Sequence, residues 1–153
     1  MTTFKQHSRK DIPLRIKWLN NKNANQYVGD NPNHQTNLEE QTRWFDAYEN
    51  NPAKKFFTIF CDQTPVGFMG LSKIDSQKGT AELFIIIGED GYRGKGVGKD
   101  SMKYLINYAL TELNLQKILL AVDINNQPAI KLYKSLGFKE TARISGDIEM
   151  ELN

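Results

Sequence analysis

Apolar and polar positions along the chain alternate between strand-like and helix-like periods. Thr3–Lys5 reads as a short strand, and helical material follows it. Asp11 is the expected N-cap there, Pro13 falls in the first turn, and Leu14, Ile16, Trp18 and Leu19 supply apolar surface. From Asn20 to Asn37 the chain is polar and rich in turn formers, among them Gly29, Asn31 and Pro32, as in a surface loop or a substrate-facing wall. Asn37 can cap a second helix with Glu39 and Glu40 near its positive end. Leu38, Thr42, Phe45 and Tyr48 would form that helix's apolar face, and Asn50-Asn51-Pro52 would stop it. The runs Phe56–Cys61, Val66–Ile74 and Ala81–Ile87 read as strands joined by short turns, hence antiparallel. After Gly88 the period changes. Val97, Met102, Leu105, Ile106, Ala109 and Leu110 predict a helix from about Gly96 to Leu113. Lys117–Val122 is a further strand, Asn126–Leu136 a further helix, and Gly137-Phe138 leads into closing strands. The expected fold is mixed α/β, with a predominantly antiparallel sheet and a crossover at the glycine-rich stretch.

Composition narrows the classes. The 153 residues contain no repeat or linker rich in Gly, Pro or Ser, so a single domain over residues 1–153 is expected. A net charge of +2 with scattered basic residues argues against nucleic acid as a partner. The polar start lacks the apolar core of a signal peptide, and no apolar run nears the roughly 20 residues that span a bilayer. With one cysteine, Cys61, no intrachain disulfide can form, so a cytoplasmic protein with no membrane partner is expected. Cys61 itself reads as a buried structural thiol. His7 and His34 lack metal-ligand spacing, and no metal is expected.

The chemistry concentrates between the Ala81–Ile87 strand and the helix after it. Gly91, Gly94, Gly96 and Gly98 fall within eight residues, accompanied by Arg93, Lys95 and Lys99. Glycines let successive N–H groups converge on one anion, and the helix N-terminus behind them adds donors. The stretch is built to hold phosphate, most simply a pyrophosphate. A nucleoside-triphosphate loop would need glycine at Arg93 and Ser or Thr at Asp100. The dinucleotide pattern G-x-G-x-x-G fails too, since it ends on Lys99 or on Ser101.

What fits is R-x-x-G-x-G, at Arg93, Gly96 and Gly98. Downstream, Asn126, Ala129, Leu132, Tyr133, Gly137 and Phe138 stand in the register N-x-x-A-x-x-L-Y-x-x-x-G-F. Together these segments resemble the GCN5-related N-acetyltransferase superfamily. Trp18-Leu19-Asn20, Leu38-Glu39-Glu40-Gln41 and Trp44-Phe45 look like its ribosomal-protein-alanine and spermidine acetyltransferase branch.

The resemblance implies a fold and an activity. The strand holding Leu83–Ile87 would splay from Lys117–Val122, and acetyl-coenzyme A would lie between them as co-substrate. Main chain at Ile85, Ile86 and Ile87 would hold the pantetheine arm. Arg93, Gly94, Lys95, Gly96, Val97 and Gly98 would hold the pyrophosphate, and Asn126 the pantetheine or diphosphate region. The reaction would be direct attack of an amine on the thioester in a ternary complex. An alkylamine with a pKa near 10 is neutral in only about one molecule in a thousand at neutral pH, so a base is required. Glu82 is the candidate base and Tyr133 the candidate proton donor to the leaving sulfur. The acceptor stays open among a polyamine, a protein N-terminus and an amino sugar or aminoglycoside. Asp30, Glu39, Glu40, Asp46 and Glu49 fall where they could frame a cationic acceptor. A homodimer is left open. The competing reading is an acetyl-coenzyme A-binding sensor or interaction module without catalysis.

Overall fold

The computed structural model describes residues 1–27 and 33–153. Seven strands form one sheet in the order β1-β2-β3-β4-β5-β7-β6. They are β1 (Thr2–Gln6), β2 (Lys55–Cys61), β3 (Thr64–Asp75), β4 (Thr80–Ile87), β5 (Lys117–Asp123), β6 (Lys139–Ile144) and β7 (Asp147–Leu152). Every neighbouring pair is antiparallel except β4 and β5, which are parallel. The helices are α1 (Ile12–Leu19), α2 (Lys22–Asn25), α3 (Leu38–Tyr48), α4 (Val97–Asn107) and α5 (Gln127–Ser135). The mixed α/β, mainly antiparallel architecture matches the reading from periodicity, with the crossover running through α4 as the glycine-rich stretch requires.

Strand alternation divides the core into two layers. Leu83, Met102, Leu105, Ile118 and Ile130 belong to the cluster that α4 and α5 share with one face of the sheet. Trp18, Phe45, Phe56, Phe68 and Ile86 belong to the cluster under α1 and α3 on the other. Trp18 packs so closely that a Cβ on Gly88 would lie 2.0 Å from its Cγ. Its Nε1 donates to Glu89 at 2.6 Å, which satisfies the indole where it is fully enclosed.

Several local expectations change. Helical structure begins with a 3-10 turn at Arg9–Asp11, ahead of α1. Asp11 is the N-cap of α1 with Pro13 in the first turn, as expected, but its carboxylate makes no cap bond; it accepts from the Ser8 N–H at 2.9 Å and from Thr58 Oγ1 at 3.0 Å. In α3 the Asn37 side chain caps as expected, accepting from the Glu40 N–H at 2.9 Å. Leu38, however, is 65% exposed, and Gln41 occupies the inner face in its place. The helix expected to end at Leu113 is α-helical only to Asn107 and closes with a π-helical turn, Tyr108–Glu112. Cys61 is only partly buried, because it ends β2 opposite Thr2 on the edge strand.

The largest departure is charged and internal. Arg15 and His7 are both buried between α1, α3 and the sheet. Arg15 Nε donates to Gln41 Oε1 at 2.7 Å, and its Nη1 lies 3.1 Å from His7 Nε2. His7 Nδ1 lies 2.6 Å from Thr58 Oγ1, whose own proton goes to Asp11. Only one assignment satisfies the chain of bonds: His7 is neutral, Nδ1–H donates to Thr58, and Nε2 accepts from Arg15. A second proton would point an N–H at a guanidinium. Burial and then Arg15 accordingly push His7 down to about 3. The guanidinium lies 3.8 Å from the Trp44 ring centroid and 4.5 Å from that of Phe68, so aromatic faces replace part of its lost hydration.

Candidate active site

β4 and β5 run side by side for only three registered pairs, Thr80↔Lys117, Ala81↔Ile118 and Glu82↔Leu119. Past that point β4 stays with β3 as far as Gly67↔Ile87, and β5 stays with β7 as far as Asp123↔Asp147. The sheet is forked. The inner edges of Leu83–Ile87 and Leu120–Asp123 face each other without a ladder, and such main-chain groups need another partner. A cleft of about 940 Å³ occupies the fork, lined on its two arms by these residues.

The glycine-rich loop closes the wide end. Gly94 and Gly96 have φ of +73° and +84°, in the left-handed region, and Gly96 is the N-cap of α4. A Cβ on either would meet nothing within 4 Å, so these positions answer to backbone conformation and leave open space beside the cleft. Gly94, Gly96, Gly98 and Lys99 line it, at the helix end where amides lack intrahelical acceptors. Lys95 is exposed and outside the lining, while Val97 turns inward and is buried in the core.

Arg93 lines the cleft but is held from behind. Its Nε donates to Ile87 O at 3.2 Å and its Nη1 to Asp90 Oδ1. Asp90 also accepts from Asn21 Nδ2 at 2.9 Å and Asn23 Nδ2 at 3.2 Å. These hydrogen bonds, from Asn21 first and then Arg93 and Asn23, pull the Asp90 carboxyl down to about 2. Asp90 thus fastens α2 to the loop, and Asn23 and Tyr27 become part of the cleft wall. Arg93 Nη2 is buried and has no partner among the described residues. An orphaned cationic donor, open space over two glycines and unpaired strand edges form a cradle that fits a pyrophosphate and an amide-bearing arm.

The β5 side is built by α5. Asn126 caps it, its Oδ1 accepting from the Ala129 N–H at 3.4 Å, which leaves its Nδ2 hydrogens for a ligand. Ala129, Leu132 and Tyr133 complete that wall. Burial raises the Tyr133 phenol to about 12, so it stays protonated. Glu82 is not in the lining of this cleft. It forms the last registered pair before the fork, 3.3 Å from Lys73 Nζ, and lines a second hollow of about 280 Å³. Both cavities include Leu120 and Ala121, so they adjoin at the fork's closed end.

The acids expected to frame an acceptor are engaged elsewhere. Glu39 pairs with Arg43, Glu40 with His34, and Asp46 and Glu49 with Arg9, at 2.6–2.9 Å, and none of the four lines the cleft. Asp30 lies outside the described residues, as do Gly29, Asn31 and Pro32. The cleft adds Tyr92, Asp123 and Asp147, which no motif singled out.

A family model for the acetyltransferase (GNAT) domain matches residues 2–139. The chain belongs to this family. Among curated relatives, the spermidine N(1)-acetyltransferase of Escherichia coli K12 is 35% identical over 94 residues, 61% of this chain. The aligned stretch spans 50% of that enzyme's length. The alpha/beta-tubulin-N-acetyltransferase 9 of Drosophila melanogaster is 27% identical, covering 90% of this chain and 75% of that protein. Among solved structures, the spermidine N-acetyltransferase of Vibrio cholerae in complex with CoA and spermine superposes with a TM-score of 0.88 at 25% identity. It covers 99% of this GNAT chain and 94% of its own.

Proposed function

We propose that the chain acts as a single acetyltransferase domain, moving an acetyl group from acetyl-coenzyme A to a primary amine within a ternary complex. The observation that carries the reading is the fork: unpaired strand edges, a positive-φ glycine loop at the wide end, and a carboxylate at the closed end. In this reading Leu83–Ile87 main chain and Asn126 bind the pantetheine arm, while loop amides and Arg93 Nη2 take the pyrophosphate. Acetyl-coenzyme A held there would bring its thioester toward the closed end of the fork, where Leu120 and Ala121 line both cavities. Glu82 removes the amine proton, directly or through one water, as the N–C bond forms and the C–S bond breaks.

Tyr133 calls for a refinement. Its phenol, at about 12, stands well above a thiol's ordinary pKa of about 8.5, so complete proton transfer to sulfur runs uphill. Its role is to donate a hydrogen bond to the developing thiolate, and solvent supplies the final proton. The test is thiol release from acetyl-coenzyme A against a panel of amines, with mass detection of the product. Glu82→Gln is expected to cut kcat by about 100-fold or more, and Tyr133→Phe by about 10- to 100-fold, with coenzyme binding retained. Coenzyme binding without thiol release from any amine would instead indicate a binding module.

A further inference from the structure

The cleft accounts for one side of the fork, and the second hollow lies on the other. By strand alternation Glu82 and Leu119 face away from Ala81 and Ile118, which belong to the α4/α5 core. The face they occupy is covered by α1 and α3 over Phe56, Phe68 and Ile86, and stays open where Ala121 and Thr141 are exposed. The hollow there has an apolar floor of Leu119 and Ala121, with a carboxylate on each side, Glu82 on β4 and Glu149 on β7.

The two carboxylates differ. Glu82 has Lys73 beside it, an exposed pair of small energetic weight. Glu149 is half-buried, and its carboxylate has no ion-pair or hydrogen-bond partner among the described residues; Thr141 Oγ1 reaches only its main-chain carbonyl, at 3.3 Å. Lys117, the cation on this face of β5, is paired with Glu151 at 3.5 Å. Glu149 stands opposite Ala121, and Glu82 opposite Leu119. The two glutamates are therefore two strands and two residues apart, roughly 12 Å between main chains. Both side chains line the hollow between them.

We infer that this hollow is the acceptor site and that Glu149 selects an aliphatic amine carrying a second ammonium group. The inference rests on the transfer reading above and adds to it the chemistry of the acceptor. The second ammonium binds Glu149, the methylenes lie over Leu119 and Ala121, and the reacting nitrogen sits beside Glu82 where the hollow adjoins the cleft. A short methylene chain joins the two ends, its length set by the floor that Leu119 and Ala121 provide. A monoamine fills only half the site, and a peptide N-terminus would bring a main chain across a floor one side chain wide.

The experiment is steady-state kinetics of the full chain with 1,3-diaminopropane, 1,4-diaminobutane, 1,5-diaminopentane, n-butylamine and a basic peptide. Wild-type protein, Glu149→Gln and Glu149→Lys are compared, each checked by thermal melting. Wild type is expected to favour the best diamine over n-butylamine by about tenfold or more in kcat/KM. Glu149→Gln should erase that preference, chiefly by raising KM for the diamines more than for n-butylamine, and Glu149→Lys should invert it. Equal losses for both amine classes, no change in either, or a peptide as the preferred acceptor would overturn the assignment of Glu149. Absence of thiol release with every amine, despite acetyl-coenzyme A binding, would overturn the transfer reading and this assignment with it.

Discussion

His7 supplies the sharpest test of how α1 and α3 are held on the sheet. Its folded pKa is about 3 against an ordinary value of 6.5, because the ring is enclosed and Nε2 already accepts from Arg15. The groups facing it are Arg15 from α1, Asp11 from the 3-10 turn and Thr58 from β2, with Phe45 and Phe68 against the ring. The sign follows from proton counts. Between about pH 3 and 6.5 the unfolded chain holds a proton on His7 that the folded chain refuses, so stability falls as pH falls. Above 6.5 both states are neutral there and the contribution is complete. At about pH 5 the unfolded state gains RT ln(1 + 10^1.5), or about 2 kcal/mol, a large share of an ordinary domain's stability. That corresponds to a drop of about 4–8 °C in Tm for a chain of this size.

The assay is urea unfolding from about pH 7.5 to about pH 5 for wild type and His7→Gln. The amide keeps an acceptor for Arg15 but cannot titrate, so it should lower stability at neutral pH by about 1–3 kcal/mol while flattening the pH slope. Carboxylates held low in the fold, such as Glu89 and Asp90, also lose stability in acid, yet they do so equally in both proteins. The difference between the two slopes near pH 5 should approach one proton, about 1.4 kcal/mol per pH unit. Parallel slopes would refute the neutral, doubly bonded imidazole.

Two further outcomes follow from the site. Asp90→Asn loosens Arg93 and weakens the hold on Asn21 and Asn23, and steady-state kinetics should show the KM for acetyl-coenzyme A rising by about tenfold, with kcat little changed. Gly88→Ala sets a methyl 2.0 Å from the Trp18 ring, so denaturant melts should show about 1–3 kcal/mol of lost stability, or more if the indole cannot shift.

Legibility followed the range of the interactions. The glycine loop was readable because its requirements are local: positive φ at Gly94 and Gly96, a helix directly behind, and cations within a few residues. Asn37 was readable for the same reason, since a cap and its target are three residues apart. Arg15 was not, because a charged residue on an amphipathic helix reads as solvent-facing unless its partners are known, and Gln41 lies 26 residues away. The same holds for Asp90, whose partners Asn21 and Asn23 are 69 and 67 residues distant.

Glu82 falls between these cases. The family pattern chooses the residue, but its position depends on where the parallel ladder stops, a matter of register between strands that a helix separates in sequence. That distinction bears on function. The proposed coenzyme site draws largely on a contiguous loop and helix start, so it survives translation into a motif. The proposed acceptor hollow takes its walls from β4, β5, β6 and β7, one to three residues from each, and no window of sequence contains it. On the proposed assignment, substitutions on β7 redirect acceptor choice while leaving both motifs untouched, and relatives that share the motifs need not share an acceptor.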